Sequence, residues 1–195
     1  MALPLDRSDN NGRVRRIIDF ARRHLYGTEK PTLLDIGSGL GVFPYCIKQL
    51  GWNCTALDPD PKASRHLTEN LGIHTLNVDL LKFDTANLSK FNVITLNKVL
   101  EHLEDPIEML TKALSILSKE GFIYVEVPDI LSSIDGPQRE EYFIEHHHVF
   151  SPESLVATAE RAGLLMKCLT REREPSGKYS IFGFFTPFQN LIRNT

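Results

Sequence analysis

The chain has 195 residues, 42% hydrophobic and 24% charged, with a formal net charge of -3 at pH 7. These values are ordinary for one globular domain with a sizeable core, and they exclude disordered, coiled-coil and collagen-like chains. The small negative charge gives no reason to expect a nucleic-acid partner or an anionic membrane surface. The sequence shows neither a signal peptide nor an apolar run long enough to span a bilayer, and its three cysteines form no CxxC. A cytoplasmic protein with reduced thiols is therefore expected.

Short apolar runs alternate with amphipathic stretches along most of the chain, which is typical of a doubly wound α/β sheet. Five runs predict buried strands: TLLDIG (32–37), NCTALD (53–58), HTLNV (74–78), FNVITLN (91–97) and GFIYVEV (121–127). Two later runs, GLLMKCLTRE and KYSIFGFFTPF, are joined by a turn too short for a crossover helix, so the last strand should be antiparallel. The predicted fold is a single-domain, Rossmann-like, seven-stranded sheet with an antiparallel last strand.

Helices are predicted between the strands from their N-terminal caps. Asp-Pro at 60–61, Asp-Pro at 105–106 and Ser-Pro at 151–152 each place a side-chain acceptor before a proline, and Gly163 should end the last of these helices. Before the first strand, residues 12–25 form an amphipathic helix with several arginines on its polar side. We therefore divide the chain into an N-terminal helix and cap, 1–29, and a main domain, 30–195.

The most informative segment is DIGSGLG, from Asp35 to Gly41, which closes the first strand and opens a helix. Glycines at such a bend let a ligand lie against bare backbone. The spacing is GxGxG rather than the GxGxxG of dinucleotide sites, and the Gly-Lys-Ser/Thr of a P-loop is absent. Asp58, Asp79 and Asn97 each follow or end a strand, so they should converge with Asp35 at the carboxyl edge of the sheet.

At this point the chain resembles the class I S-adenosylmethionine-dependent methyltransferases. The resemblance rests on LLDIGSGLGVF, ALDPDP, NVDLLKF, FNVITLNKVLEHLEDP and GFIYVEVPD, which occur in this order, and it covers about residues 30 to 186. It is similar above all to the small-molecule members, among them ubiquinone-type, sugar and natural-product methyltransferases. The final antiparallel strand fits that fold, in which the seventh strand lies between the fifth and the sixth. The resemblance implies that 30–195 is an S-adenosylmethionine-binding domain.

The resemblance also implies roles for individual residues in binding S-adenosylmethionine. The loop residues Gly37, Ser38, Gly39 and Gly41 would cradle the methionine part, with Asp35 supporting the loop. Asp58, followed by Pro59, would bind the ribose hydroxyls. Asp79 with Leu80 would meet the adenine, and Asn97 would lie under the methionine end. A cap or loop acid is the alternative for each aspartate, and a purely structural role is the alternative for Asn97.

Some ubiquinone-type members bind a divalent cation through an E-x-x-E-H pattern, and this chain departs from that pattern. Lys98 occupies the first acidic position, although Glu101 and His102 remain. We therefore expect no metal site, and we interpret Glu101 and His102 as polar residues at a helix start.

The run EHHHVFSP places three histidines directly before a capped helix. A structural zinc site would need four ligands, and no other Cys or His cluster is spaced to complete one. Alternate side chains of an extended segment share a face, so His146 and His148 should point one way and His147 the other. The pattern H-x-H-apolar-Phe-Ser/Thr-Pro before this helix resembles that of many relatives, and the long connection 128–150 that leads to it lies at the ligand end of the sheet. His146 and His148 are therefore candidate bases on the acceptor side, with loop-anchoring hydrogen bonds as the alternative.

The sequence thus predicts a methyltransferase that uses S-adenosylmethionine and acts on the O or N of a small-molecule acceptor by in-line transfer. The basic first helix and the long connection 128–150 are candidate covers over the site. Two other functions stay open: a nicotinamide-dependent oxidoreductase on a similar sheet, and a noncatalytic module that binds the same cofactor.

Overall fold

A computed structural model describes residues 8–136, 138–139, 142 and 145–188. Its centre is a seven-stranded sheet with the order β3-β2-β1-β4-β5-β7-β6. The strands are β1 Thr32–Ile36, β2 Asn53–Leu57, β3 His74–Leu76, β4 Phe91–Asn97, β5 Leu117–Pro128, β6 Leu164–Arg173 and β7 Tyr179–Pro187. The first five pair in parallel, whereas β7 runs antiparallel to both β5 and β6. The predicted fold class is therefore confirmed, including the last strand between the fifth and the sixth.

In the described part of the chain, five α-helices flank the sheet: α1 Asp9–His24, α2 Val42–Gln49, α3 Pro61–Glu69, α4 Pro106–Ser115 and α5 Pro152–Arg161. The predicted caps form. Asp60 accepts a hydrogen bond from the Lys62 amide, Asp105 from the Glu108 amide, and Ser151 from the Ser154 amide. These bonds satisfy amides that a helix start leaves without partners, which is why the three helices begin at the prolines.

Apolar side chains cover both faces of the sheet, as expected for buried parallel strands. On one face α1 and α2 pack over Leu33, Phe122 and Tyr124. On the other, α4 and α5 pack over a larger cluster around Leu34 and Ile94. The apolar face predicted for α1 is confirmed, since Ile17, Ala21 and Leu25 are buried and Val14 and Ile18 pack against the same cluster.

The structure differs most from the predicted boundaries at two strands. β5 begins four residues earlier than predicted, and β3 ends two residues earlier. β6 is largely exposed because it lies at the edge of the sheet. The division of the chain at residue 29 stays a prediction, and residues 1–7 and 189–195 lie outside the described part. Among the described residues, no helix combines the length and apolarity needed to cross a bilayer.

Candidate active site

The glycine loop joins β1 to α2 and adopts left-handed backbone conformations. Gly39 and Gly41 have φ values of 51° and 71°. A Cβ atom at Gly41 would overlap the side chain of Leu67 on α3, whereas one at Gly39 would meet no atom within 4 Å. Gly41 is therefore needed for packing against α3. Gly39 instead faces open space, where a ligand can approach the backbone.

Asp58 fixes the open side of this loop. Its Oδ2 accepts the Gly39 amide hydrogen at 2.8 Å, and its Oδ1 accepts that of Asp60 at 2.9 Å. The residue is only 8% exposed, so the two bonds hold its carboxylate in one orientation. A carboxylate has about four acceptor positions, so two remain for the hydroxyls of a ligand.

A cavity of about 280 Å³, here called the strand-edge cavity, opens at the carboxyl ends of the parallel strands. The predicted residues Gly37, Asp58, Pro59, Asp79 and Leu80 all line it. The other lining residues are Ile36, Leu57, Lys98, Val99, His102, Leu103 and Met109. Its walls are mostly apolar. The carboxylates of Asp58 and Asp79 lie near the ends of β2 and β3, and Lys98 follows the end of β4. A ligand in which a flat apolar ring is attached to a group with hydroxyls would fit these apolar walls and carboxylates.

A second cavity of about 260 Å³, here called the glycine-loop cavity, lies on the other side of Gly37. Asp35, Ser38, Gly41 and Asn97 line it, as do Leu40, Val42 and Phe43. Asn10 and Arg13 complete it from α1. The arginines of α1 were predicted to form a solvated face, and that prediction is wrong for Arg13, which is buried and lines this cavity. A signal was available, since Arg13 stands four residues before the buried Ile17 and therefore on the apolar face.

Asp35 connects β1 to β4 beneath the loop. Its Oδ1 accepts hydrogen bonds from the Thr95 hydroxyl at 2.6 Å and from the Asn97 amide at 2.8 Å. Burial raises the pKa of Asp35 to about 6, although the hydrogen bonds from Thr95, Ser38 and Asn97 act in the opposite direction. Asp35 thus orients Asn97, a predicted site residue on the neighbouring strand. Asp35 also supports the glycine loop, because its backbone carbonyl accepts the Ser38 hydroxyl hydrogen at 2.8 Å.

Behind the glycine-loop cavity, the fully buried Glu126 of β5 binds two arginines of α1. Its carboxylate accepts hydrogen bonds from Arg13 Nε at 2.9 Å, from Arg13 Nη2, and from Arg16 Nη2 at 3.2 Å. The Tyr124 hydroxyl donates a further bond at 2.8 Å. Burial alone would raise the pKa of Glu126, but the charge and hydrogen bonds of Arg13 outweigh it and lower the pKa to about 2. This carboxylate therefore stays charged and ties α1 to the sheet.

The histidine run packs against the 3₁₀ turn Leu100–His102 that follows β4. The backbone carbonyl of Glu101 accepts the His147 and His148 amide hydrogens at 2.7 and 3.2 Å. The His102 and His146 rings meet edge to face, with centroids 4.7 Å apart. As predicted, His147 is exposed while His146 and His148 are half-buried. The described lining of the strand-edge cavity includes His102 but neither His146 nor His148.

Glu101 is almost completely buried at this corner, and its Oε2 has no hydrogen-bond partner among the described residues. Burial raises its pKa, against the opposing charges of Lys98, His102 and His146. Glu101, His102 and His146 each bring one side-chain N or O atom within 4.8 Å of the others. The sequence did not show this juxtaposition, because His146 comes from a connection more than forty residues away. The absence of a metal stays a prediction.

Comparison with known proteins identifies the family. A model of the family described as a methyltransferase domain matches residues 7–168. The chain belongs to this family of methyltransferase domains. The resemblance inferred from the glycine loop and the strand-end aspartates is therefore confirmed.

Among its relatives, this methyltransferase domain is 32% identical over 102 residues to a ubiquinone biosynthesis O-methyltransferase of Haemophilus ducreyi, covering 48% of this chain and 43% of that protein. It is 23% identical over 182 residues to the enzyme of the same name from Bordetella avium, covering 84% of this chain and 70% of the other. The first curated relatives are matched over only about half of their length, 43% to 50%.

A solved structure of the glycopeptide N-methyltransferase MtfA, complexed with S-adenosylmethionine, has the same fold. It superposes with a TM-score of 0.68 at 14% identity and covers 89% of this chain and 93% of its own.

Proposed function

We propose that this protein is an S-adenosylmethionine-dependent methyltransferase that acts on a small-molecule acceptor, at an oxygen or a nitrogen atom. The observation that carries the proposal is the fixed Asp58 carboxylate, which lies beside the open Gly39 backbone and at the mouth of the strand-edge cavity. This arrangement suits a nucleoside whose ribose hydroxyls donate to Asp58. The names of the relatives support a methyl-transfer function, and one structural neighbour was crystallised with the same cofactor.

In the proposed binding mode, the cofactor would occupy both cavities. The adenosine would lie in the strand-edge cavity, with its ribose at Asp58 and its base between Asp79 and Leu80. The methionine part would pass Gly37 into the glycine-loop cavity, where Ser38, Gly41 and Asn97 lie. Arg13 would place a guanidinium near the methionine carboxylate, at the end that α1 closes. When bound, the cofactor supplies an electrophilic methyl group on a sulfonium.

The chain's own contribution is positioning, proton removal and exclusion of water. For a hydroxyl acceptor, a histidine on the acceptor side takes the proton as the new O–C bond forms and the C–S bond breaks. His146 and His148 are the proposed bases, and general-base assistance of this kind contributes about 10²- to 10⁴-fold. For an amine acceptor no base is required. The described part of the connection 128–150 and helix α1 would cover the bound cofactor.

The proposal is tested by titrating the purified protein calorimetrically with S-adenosylmethionine and, separately, with NAD. We expect S-adenosylmethionine to bind and NAD not to bind. Asp58→Asn should weaken it by about 10- to 150-fold, because the variant loses a charged acceptor. Asp60→Asn is the matched control: it removes a carboxylate two residues away that lines neither cavity, and Asn still caps α3.

Three results would count against the proposal in different ways. Binding of NAD alone would support the oxidoreductase instead. Equal affinity of the Asp58→Asn variant would refute the ribose contact. Cofactor binding without transfer of a labelled methyl group to any acceptor in a broad screen of phenols, sugars and amines would favour the noncatalytic module.

A further inference from the structure

The loop formed by residues 79–83, which follows β3, makes one wall of the strand-edge cavity. Asp79 and the buried Leu80 both line the cavity. The loop turns tightly, since the Leu81 amide donates a hydrogen bond to Asp79 Oδ1 at 3.0 Å and the Lys82 amide donates one to the Asp79 carbonyl at 3.1 Å. Both cavity-lining residues therefore take their positions from the conformation of this one turn.

Lys112, in the last turn of α4, binds the carbonyl groups of this loop. Its Nζ donates hydrogen bonds to the backbone oxygens of Leu80 at 3.2 Å, of Phe83 at 3.3 Å, and of Leu81. An ammonium carries three donor hydrogens, so these three bonds use all of them. The side chain is half-buried, and 29 to 32 positions separate it from the three residues, so no local sequence pattern links it to the loop.

The ammonium stabilises a backbone conformation that brings three carbonyl oxygens around one point. Each oxygen carries a partial negative charge, so the three repel one another unless a cation lies between them. Hydrogen bonds from a charged donor are roughly twice as strong as neutral ones, and Lys112 supplies three of them to one short loop. With a neutral, apolar side chain in its place, the carbonyls would turn toward water and the loop would change conformation. Leu80 would move with the loop, because its own carbonyl is one of the three.

Helix α4 therefore determines two parts of the strand-edge cavity. Met109 lines the cavity directly and stands about one turn before Lys112. Residues three positions apart lie on the same side of a helix, so the helix that presents Met109 to the cavity also directs Lys112 toward the loop. A single helix thus supplies one wall of the cavity and holds the wall that residues 79–83 form.

We propose that Lys112 is a positioning residue for cofactor recognition: its ammonium holds loop 79–83 in the conformation that accepts adenine and rejects other bases. This inference rests on the proposed function, in which the base lies between Asp79 and Leu80, and it deepens that function. A carboxylate only accepts hydrogen bonds, so Asp79 suits the amino group of adenine and not the carbonyl group that hypoxanthine has at the same position. This discrimination requires a fixed Asp79, and the turn that Lys112 stabilises fixes it.

The test compares S-adenosylhomocysteine with S-inosylhomocysteine, which carries hypoxanthine in place of adenine, by calorimetric titration. We expect the unaltered protein to bind S-adenosylhomocysteine about tenfold or more tightly, because the hypoxanthine carbonyl leaves Asp79 without its donor. Lys112→Met removes the ammonium but keeps a side chain of similar length. It should weaken S-adenosylhomocysteine binding about tenfold and reduce the preference for adenine to less than about threefold.

Lys112→Arg retains a charged donor and should keep most of the preference. A thermal melt verifies that each variant folds. If Lys112→Met does not fold, Lys112→Gln replaces it, since its amide still donates hydrogen bonds but carries no charge, and the same loss of preference is expected.

Lys48→Met is the matched control. Lys48 Nζ also donates to two loop carbonyls, those of Leu71 at 3.3 Å and Gly72 at 2.5 Å, but neither residue lines a cavity that the cofactor would occupy. Its removal should therefore leave both affinities unchanged.

An unchanged preference for adenine in Lys112→Met would overturn the inference, even if both ligands bound more weakly, because Lys112 would then only stabilise the fold. An equal loss of preference in Lys48→Met, or no preference in the unaltered protein, would also overturn it. If S-adenosylhomocysteine fails to bind the unaltered protein, the proposed function itself fails, and the two failures are therefore distinguishable.

Discussion

Asp35 carries a buried charge whose effect on stability depends on pH. Its pKa in the folded protein is about 6, above the ordinary 3.8, so between these values the folded state binds more protons than the unfolded state. Stability must therefore fall as the pH rises through this window. A difference of about two pKa units corresponds to about 3 kcal/mol.

Asp35→Asn removes this titration while keeping an oxygen that can accept from Thr95 and Asn97. We expect the unfolding free energy of the unaltered protein, relative to the variant, to fall by about 3 kcal/mol from pH 4 to pH 7.5. Urea unfolding at several pH values measures the difference. The exposed Asp84→Asn should show no comparable change. A difference between Asp35→Asn and the unaltered protein that stays constant with pH would contradict the pKa assigned here.

Residues at strand ends could be predicted from the sequence, whereas residues defined by tertiary contacts could not. Asp58 and Asp79 were found because parallel strands deliver their carboxyl ends to one edge of the sheet. Arg13 and its carboxylate partner Glu126 are separated by 113 positions, so no local pattern links them. The meeting of Glu101 with His146 depends in the same way on how a long connection folds back. Long-range juxtapositions of this kind require the structure.

At the scale of elements, the glycine loop has one glycine for packing and one that faces the ligand. Gly41→Ala would force a Cβ into Leu67, so we expect a loss of several kcal/mol in unfolding free energy. Gly39→Ala meets open space and should cost only about 1 to 2 kcal/mol for its left-handed backbone. The same methyl group would nevertheless stand where the cofactor approaches. Gly39→Ala should therefore fold but lose S-adenosylmethionine binding, as melting and calorimetry on one sample would show; tight binding by this variant would refute the loop's role.

Helix α1 is held to the sheet by ionic contacts as well as by its apolar face. Arg13→Ala leaves the completely buried Glu126 without its main partner, so we expect a loss of about 3 kcal/mol in unfolding free energy. Arg15→Ala on the same helix is the matched control. Its side chain is 86% exposed and lies 3.9 Å from Asp19, so its loss should cost less than about 0.5 kcal/mol. Equal urea midpoints for the two variants would show that the buried ion pair contributes nothing to docking.

Element types were easier to predict than element lengths. The helix starts at residues 61, 106 and 152 were correct because a cap and a proline define each of them locally. The start of β5 was placed too late, because its first residues, Leu117–Glu120, include two charged ones and extend beyond the apolar run. These residues join the strand through pairing of Leu117 with Phe91, a contact that composition does not show.

At the scale of the whole molecule, connection length predicted the strand directions, and the resemblance to the methyltransferase fold predicted that β7 lies between β5 and β6. Long connections require crossovers and give parallel neighbours, while the short turn between β6 and β7 allows only an antiparallel pair. This order places both cavities along the edge where β1, β2 and β4 end, with α1 closing one of them. A ligand that fills both cavities would therefore contact the sheet, the glycine loop and α1 together.

A ligand in such a position should stabilise the entire fold and not only a loop. At a concentration 100 times its dissociation constant, a ligand specific for the folded state adds about 2.7 kcal/mol. For a chain of this size, that corresponds to a rise of about 5 to 10 °C in the melting temperature. We expect this rise with S-adenosylmethionine or S-adenosylhomocysteine and no rise with NAD at the same concentration.

Because α1 closes the glycine-loop cavity, Arg13→Ala should show a smaller rise in melting temperature with S-adenosylmethionine than Arg15→Ala. Equal rises in the two variants would mean that the cofactor is held by the sheet and the glycine loop alone, and that α1 contributes to stability without contributing to binding.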